Sequence, residues 1–251
     1  MPLLALDTSA AISIALLNDD GEALNDDGAV LAIADKPERR RHAEDLMPLI
    51  TQLLGSAGLR TKDLTAVAVG TGPGPFTGLR IGLVTAQTLG FALGIPVYGV
   101  SSLEALATEA AQMHHSAEAQ VVIATLDARR KEIFWAGYQV GDSRSTSANG
   151  LLRLVIPPAV GKAAQLAEFL ATGSGEGESE GFDSGVNALV VGEGAELYRE
   201  QLAGAVASSS SFEPLLPGAS LLGRIAQRKA RAGIRQPTAP QYLRRPDIHG
   251  Q

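Results

Sequence analysis

The amino-acid sequence predicts an α/β fold made of two successive units. Short apolar runs typical of buried strands alternate with longer segments whose apolar residues recur at helical spacing. The order is strands, helix, strand, helix, strand, and broadly the same order follows a break near residue 103. A chain of 251 residues corresponds to one large or two small domains and is long enough to bury a substantial core.

The first unit opens with two apolar runs, Pro2–Asp7 and Ala11–Leu17, that predict strands. The residues Asn-Asp-Asp-Gly then occur twice, at 18–21 and 25–28, and predict two tight turns. The other predicted elements are a strand to about Ala34, a helix carrying the apolar residues between Leu46 and Ala57, a strand over 64–70, a helix over 76–93, a strand over 95–100 and a helix from Ser101 or Ser102 to about His115. We expect Pro48 in the first turn of its helix or at a kink.

The second unit repeats the pattern with shorter elements. The predicted strands are 121–126, 132–140, 151–156 and 188–191. A helix is predicted over Pro157–Leu170, because proline suits the first turn of a helix. The acidic, glycine-rich segment 173–185 predicts disorder, and short helices are predicted at about 195–202 and 218–232.

Composition and charge exclude several classes of protein. The chain has no cysteine, which excludes disulfides, thiolate metal sites and a cysteine nucleophile. Its net charge of −6 argues against strong binding of nucleic acid by the isolated chain, because phosphate contacts need a basic surplus. The N-terminus has no basic segment and reaches Asp7 too early for a signal peptide, so we expect a cytoplasmic protein.

One stretch, residues 81–103, contains no charged residue and has two interpretations. A membrane span is the first. The second is a buried helix, a turn and a buried strand. The glycines, serines and Pro96 that interrupt this stretch favour the second interpretation, and we expect no membrane contact.

The densest motif is the glycine-rich segment 70–80, Gly-Thr-Gly-Pro-Gly-Pro-Phe-Thr-Gly-Leu-Arg, between a predicted strand and a predicted helix. Such a segment can bind an anion, because glycines let the backbone approach a ligand and a helix N-terminus favours negative charge. It lacks the lysine of a P-loop, and Pro75 stands where a dinucleotide fingerprint has its third glycine. A stiff strand-to-helix connection is the alternative, and spacing alone does not decide between them.

Two aspartates, Asp7 and Asp127, each end the first strand of a unit. The carboxyl ends of strands are where α/β sheets place ligand groups, so the pair could hold a magnesium-bound nucleotide. Aspartate is also a routine turn former, and both side chains could simply cap turns.

The helix over 76–93 is apolar nearly all round. Its small residues Gly82, Ala86, Gly90 and Gly94 lie four apart, and Ile81, Val84, Thr88 and Phe91 lie on the opposite side. One side can cover its own sheet, and small residues allow a second helix to approach closely. We therefore predict a partner interface and, in isolation, a homodimer that Gly90→Leu would block; burial inside a larger monomer is the alternative. The predicted interface residues are Leu46, Leu49, Ile50, Leu53, Leu79, Leu83, Ala86 and Gly90.

Histidines are scarce, and their spacing offers no helical two-histidine metal site, so we predict no metal centre. His42 is expected to be a helix-start residue. Basic residues cluster at 39–41, 129–131, 224–235 and 244–245. A solvated surface is the ordinary explanation of such clusters, and contact with a partner, or with RNA held by a partner, is the alternative.

The chain resembles the TsaB (YeaZ) family over almost its whole length. The resemblance rests on blocks 4–9 (LALDTS), His42, 70–82 (GTGPGPFTGLRIG), 99–107 (GVSSLEALA), 126–138 (LDARRKEIFWAGY), 191–194 (VGEG) and 240–244 (PQYLR). Family members often carry arginine and serine where this chain has Thr71 and Pro75, which weakens an anion site in that loop.

The resemblance implies an actin-like/Hsp70-like ATPase fold (ribonuclease H-like) with two βββαβαβ lobes, the second reduced. It implies a non-catalytic subunit that supports threonylcarbamoylation of the adenosine beside the anticodon of tRNA (t6A modification). The implied partners are the catalytic paralogue TsaD and the ATPase TsaE, with tRNA met only through the complex.

We accordingly expect a partner-docking lobe at 1–103, completed by the helix 218–234, and a smaller lobe at 104–217. An actin-fold ATPase or kinase with its own magnesium-nucleotide site is the alternative function. We expect no catalytic residue and no tightly bound cofactor. The candidate residues of a vestigial, weak nucleotide or anion site are Asp7, Thr8, Ser9, Gly72, Gly74, Thr77 and Asp127.

Overall fold

The computed structural model of the chain describes residues 1–18, 29–37, 41–114, 120–140, 151–172, 187–203 and 212–244. Several sequence predictions fall outside these residues: the turns beyond Asn18, the acidic segment 173–185, and the basic residues Arg39, Arg40, His115, Arg245 and His249.

The first lobe is a five-stranded sheet with helices on both faces. Its elements are β1 (Pro2–Asp7), β2 (Ile12–Asn18), β3 (Val30–Lys36), α1 (His42–Ser56), a 3₁₀ turn (Thr61–Asp63), β4 (Ala66–Gly70), α2 (Phe76–Leu93) and β5 (Val97–Val100). The next helix, α3 (Ser102–Met113), packs on the sheet of the second lobe. The strand order is β3-β2-β1-β4-β5, antiparallel among the first three and parallel from β1 to β5. This is the predicted βββαβαβ order.

The second lobe repeats the topology with one strand fewer. Its elements are β6 (Val121–Arg129), β7 (Glu132–Gln139), β8 (Arg153–Gly161), α4 (Ala163–Thr172), β9 (Ala188–Val191), α5 (Glu193–Leu197) and α6 (Arg199–Leu202), and the chain continues into α7 (Ala219–Arg231). The strand order is β8-β7-β6-β9, with β6 and β9 parallel. The predicted actin-like class with a reduced second lobe is confirmed.

Alternation along β1 explains how both faces of the first sheet are covered. Leu4 and Leu6 point into a core shared with α1 and α2, whereas Leu3 and Ala5 point into a core shared with α7. Successive side chains of a strand lie on opposite faces, so an apolar run buried on both sides needs a helix on each face. Helix α7 therefore lies on the first sheet, where the sequence placed helix 218–234.

The predicted helix over Pro157–Leu170 is wrong at its start. Strand β8 continues through Pro157 and Pro158 to Gly161, and α4 begins only at Ala163. Strand β8 lies at the edge of its sheet, where the missing N–H of a proline can face away from the ladder, and its register against β7 shifts beside these prolines. The prolines thus mark an edge strand.

Two helices show how well helix ends follow from sequence. Helix α2 has the predicted bounds, because Pro75 precedes it and Gly94 ends it with a left-handed φ of 65°. Helix α1 begins at His42, as expected for a helix-start residue, but this places Pro48 in the second turn and the predicted first-turn position is wrong.

Among the described residues, α2 alone has the length and hydropathy of a candidate membrane span. This is weak evidence, because the core helix of a soluble protein meets the same test. Leu79, Leu83 and Ala86 of α2 pack into the core of the first lobe.

Candidate functional site

The carboxylate of Asp7 lies at the end of β1 and is almost entirely buried, with 1% of its surface exposed. Its Oδ1 accepts hydrogen bonds from the backbone N–H of Ser9 at 2.8 Å and from the Ser9 hydroxyl at 2.6 Å. Its Oδ2 accepts the hydroxyl of Ser102, at the start of α3, at 2.5 Å. Burial raises the pKa of Asp7, and the bonds from Ser102 and Ser9 and the nearby His42 only partly offset that effect.

The glycine-rich loop packs directly on the Asp7-Thr8-Ser9 loop. A methyl group at Gly74 would lie 2.6 Å from the carbonyl oxygen of Ser9, and one at Gly78 would lie 2.9 Å from that of Thr8. The Thr8 hydroxyl donates to the Gly78 carbonyl at 2.8 Å and accepts the Gly82 N–H at 3.1 Å. The glycines therefore serve close packing between two loops of the same chain.

Two backbone N–H groups of the glycine-rich loop donate hydrogen bonds to other atoms of the protein. The N–H of Thr71 donates to the Val100 carbonyl at 2.8 Å, and the N–H of Gly72 donates to the Ser102 hydroxyl at 3.2 Å. A phosphate cradle needs such N–H groups pointing at the ligand. This arrangement fits the stiff connection better than the anion site.

A cavity of about 370 Å³ lies beside Asp7, and its lining is mainly apolar or neutral, with three acidic side chains and one lysine. Asp35 and Glu109 line it together with Lys36, whose ammonium group pairs with Asp45 at 2.7 Å. Burial and the charges of Asp35 and Glu213 raise the pKa of Glu109, although its bond from Gly218 acts in the opposite direction. An excess of carboxylates repels a phosphate group.

The structure does not bring all the candidate nucleotide-site residues together. Asp7, Thr8 and Ser9 lie beneath the glycine-rich loop, but Gly72, Gly74 and Thr77 do not line the cavity at Asp7. Asp127 lies in the second lobe, where its carboxylate accepts the Arg129 N–H at 2.8 Å and pairs with the Arg129 guanidinium at 3.1 Å. Asp127 thus organises a turn. Within the described residues, no group of His, Asp and Glu side chains has the makings of a metal site.

Most residues of the predicted partner interface do not lie on the surface of the protein, so the prediction is wrong for them. Seven of its eight residues are buried in the protein's own core, and only Leu49 is partly exposed. The seven are Leu46, Ile50, Leu53, Leu79, Leu83, Ala86 and Gly90. The small-residue stripe faces the first sheet: a methyl group at Gly82 would meet Leu6 at 3.2 Å, and one at Gly90 would overlap the side chain of Val97. Close approach of helix to sheet explains the small residues.

The opposite side of α2 is uncovered. Phe91 is 92% exposed and Val84 is 59% exposed, and Thr88 between them is also exposed. These positions share one face of the helix, because they lie three and four residues apart. The sequence had placed these residues opposite the small stripe, but periodicity alone does not tell which side of an apolar helix meets the sheet.

The C-terminal segment 234–244 is a functional candidate that the sequence analysis missed. It crosses from α7 over the glycine-rich loop to the second lobe. The Gln241 N–H donates to the Thr71 carbonyl at 2.9 Å, and Tyr242 lies against Phe76 with ring centroids 5.0 Å apart. Arg244 then bonds the Ala128 carbonyl at 3.3 Å. Prolines at 237 and 240 remove any periodicity, so only the PQYLR block and the basic residues at the two ends of the segment marked it.

A larger cavity of about 880 Å³ opens between the two lobes, beside this segment. Its wall includes Ser101, Tyr138 and the ion pair between Glu104 and Lys229, whose charged atoms are 2.6 Å apart. Burial and the charge of Glu104 raise the pKa of Tyr138 well above its usual range, so its hydroxyl stays protonated.

Comparison with known proteins gives a consistent result. Residues 35–246 match the family model of TsaD, described as tRNA N6-adenosine threonylcarbamoyltransferase. The match with the solved structure of YeaZ from Pseudomonas aeruginosa covers 96% of this chain and 99% of that chain, with 32% identity and a TM-score of 0.71.

Curated relatives match a shorter stretch. The chain is 37% identical over 140 residues to the tRNA threonylcarbamoyladenosine biosynthesis protein TsaB of Escherichia coli, which is 55% of each protein. It is 34% identical over 158 residues to the protein of the same name from Bacillus subtilis. These alignments span only a little over half the length of the curated relatives.

Proposed function

The chain belongs to the TsaB (YeaZ) family, and from this premise we propose that it supports t6A modification of tRNA as a non-catalytic subunit. In this proposal it docks to a TsaD-type catalytic paralogue in the cytoplasm, and a TsaE-type ATPase joins the pair. Transfer RNA meets the chain through the assembled complex, and the isolated chain forms homodimers.

The observation that carries the docking role is the outer face of α2. A phenylalanine with 92% of its surface in water, two turns beyond an exposed valine on the same face, is the kind of apolar patch that marks protein interfaces. The inner face of α2 is fixed on the sheet through Leu79, Leu83 and Ala86, so the outer face is presented on a rigid element. A partner that covers Val84 and Phe91 would remove this exposed apolar area from water.

The non-catalytic role is supported by the environment of Asp7. Its carboxylate is buried and hydrogen-bonded to Ser9 and Ser102, and the adjacent cavity has an excess of acidic groups. Isothermal titration calorimetry with Mg-ATP tests this part of the proposal. We expect no tight binding and no turnover; tight binding with turnover by the purified chain would favour an actin-fold ATPase.

The docking face is tested by Phe91→Asp, with co-purification of a tagged TsaD-type paralogue from the same cell as the measurement. A charge at the centre of an apolar contact should weaken association by about 10- to 100-fold. Leu197→Asp is the control, because Leu197 is also an exposed apolar residue, with 58% of its surface in water, but lies on α5 of the second lobe. Equal recovery of the paralogue with Phe91→Asp and wild type would contradict the assignment of this face.

Gly90→Leu, which the sequence suggested as the test, does not serve this purpose. A side chain at position 90 would collide with Val97 of β5 inside the protein. Loss of association in that variant would therefore report a damaged fold.

A further inference from the structure

The turn between β6 and β7 presents three consecutive cations in an unusual backbone conformation. Arg129, Arg130 and Lys131 have φ angles of 62°, 57° and 62°. These values lie in the left-handed region, which glycine and asparagine adopt more readily than other residues. Arg129 pairs with Glu132 across the hairpin, so Arg130 and Lys131 are the central residues of a two-residue turn. Positive φ at both positions is the signature of a type I′ turn, which favours Asn-Gly.

The structure joins this turn to two further cations that are distant in sequence. Arg244 bonds the Ala128 carbonyl at 3.3 Å and forms an ion pair with Glu132. Two residues before it, the Tyr242 hydroxyl accepts a hydrogen bond from Arg80 of α2 at 3.0 Å. Two residues of extended chain span only about 7 Å, so residues 242–244 connect Arg80 of the first lobe with the β6–β7 turn of the second. We refer to Arg80, Arg129, Arg130, Lys131 and Arg244 together as the basic surface.

Nearby carboxylates hold some of these cations in place, but the carboxylates are fewer than the cations. Asp127 holds the Arg129 guanidinium at 3.1 Å, and Glu132 holds that of Arg244. Glu193 approaches the Asp127 N–H at 3.4 Å. At the tip, the exposed Lys131 forms no ion pair with any residue that the structure describes. The surface is therefore locally basic on a chain whose net charge is −6.

We propose that the β6–β7 turn, together with Arg80 and Arg244, binds the phosphate backbone of RNA. The inference rests on the proposed function, which supplies tRNA as the partner. Guanidinium groups held in fixed orientations suit the geometry of phosphate oxygens, and residues 129–132 offer only charged side chains. An interface with an acidic protein would instead bury an apolar centre, which this turn lacks.

The double variant R130N/K131G tests the inference, because it removes two charges and installs the residues that a type I′ turn favours. K62A/K162A is the matched control: it removes two exposed lysines elsewhere, one in each lobe, and so changes the net charge equally. The wild type and both variants are co-purified with the TsaD-type paralogue. Fluorescence anisotropy then measures binding of an unmodified transcript of an ANN-decoding tRNA at several KCl concentrations.

We expect the slope of log association constant against log salt to fall by about 1–2 in R130N/K131G and to stay unchanged in the control. Equal slopes in wild type and R130N/K131G would overturn the inference while leaving the proposed function intact. Loss of the paralogue from R130N/K131G, with unchanged tRNA binding by the remaining complex, would assign the turn to protein and also overturn it. Failure of the wild-type chain to co-purify would refute the proposed function, and the RNA inference with it.

Discussion

The connections that follow β1 and β6 occupy the same position in the two lobes, but they differ in almost every physical respect. After β1, the Asp7 carboxylate is buried and bonded to Ser9 and Ser102. After β6, the chain reverses within two residues, and cations project into water with the Arg129 side chain 56% exposed. One aspartate anchors an internal junction, and the other stabilises a surface turn.

The loops that cover these connections explain the difference. In the first lobe, the loop from β4 to α2 lies over residues 7–9 and places Gly74 against Ser9. In the second lobe, the corresponding loop from β9 to α5 is short: Gly192 and Gly194 pack against the carbonyl groups of Thr125 and Leu126, and at Asp127 it supplies only the Glu193 carboxylate, 3.4 Å from the Asp127 N–H. A repeated topology therefore does not imply a repeated site, because the length of the covering loop decides what stays exposed.

The largest expected effect on stability is that of Gly74→Ala in the first lobe, where the loop from β4 to α2 covers residues 7–9. Its methyl group would lie 2.6 Å from the Ser9 carbonyl oxygen and 2.9 Å from the Ser9 Cα, and backbone atoms cannot move aside cheaply. We expect the free energy of unfolding to fall by about 2–3 kcal/mol in urea denaturation. Gly55→Ala in α1 is the control, since nothing lies near its Cβ, and it should gain about 0.5 kcal/mol. Equal stability of the two variants would refute the packing of the two loops.

Asp7→Asn should change how stability depends on pH. Burial raises the pKa of Asp7, so between about pH 4 and that raised pKa the folded protein keeps a proton that the unfolded chain has lost. The free energy of unfolding of the wild type therefore falls as pH rises through this window, by up to about 1.4 kcal/mol per pH unit. The asparagine variant cannot ionise and should show a flatter profile. Identical pH profiles for variant and wild type would contradict this account.

Asp127→Asn, the same substitution at the matching position, should have a smaller and different effect. Asparagine keeps an acceptor for the Arg129 N–H but loses the ion pair with its exposed guanidinium. The Asp127 carboxylate is buried, with 9% of its side chain exposed, whereas the Arg129 side chain is 56% exposed, so salt screens the pair only in part. We expect a loss of about 1 kcal/mol in low-salt denaturation that becomes smaller in 0.5 M NaCl, where the Debye length is about 4 Å. A loss that stays the same at high salt would show a packing role for Asp127.

The sequence predicts local features of this fold better than the relations between distant segments. The bounds of α2 follow from Pro75 and Gly94, and Asp7 and Asp127 follow from the ends of apolar runs. The sequence could not predict that the Ser102 hydroxyl donates a hydrogen bond to the Asp7 carboxylate, because 95 residues separate the two. The small-residue side of α2 was predicted to be a surface and is buried for the same reason: Val97 belongs to a strand beyond the helix end, and composition does not show which side of the helix that strand covers.

The β6–β7 turn was hidden from sequence in another way. Type I′ turns are recognised by Asn-Gly or a similar pair, and Arg130-Lys131 carries no such signal. The sequence therefore allowed a solvated surface, a contact with a partner or a contact with RNA held by a partner, and predicted no backbone conformation for the three cations. Only the backbone angles show that a residue pair unfavourable for the turn occupies its two central positions.

The smallest expected effect on stability comes from R130N/K131G. Whether this variant raises or lowers the free energy of unfolding shows if the β6–β7 turn is a structural element like the Asp7 junction. Both positions have left-handed φ, which glycine and asparagine adopt at lower cost than arginine and lysine. Glycine also makes the unfolded chain more flexible, which offsets part of the gain, so we expect an increase of about 0.5 kcal/mol in the free energy of unfolding. A loss of more than about 1 kcal/mol in urea denaturation would mean that the two side chains hold the hairpin together. The turn would then be a structural element like the Asp7 junction, whereas a gain would show that stability does not account for its cations.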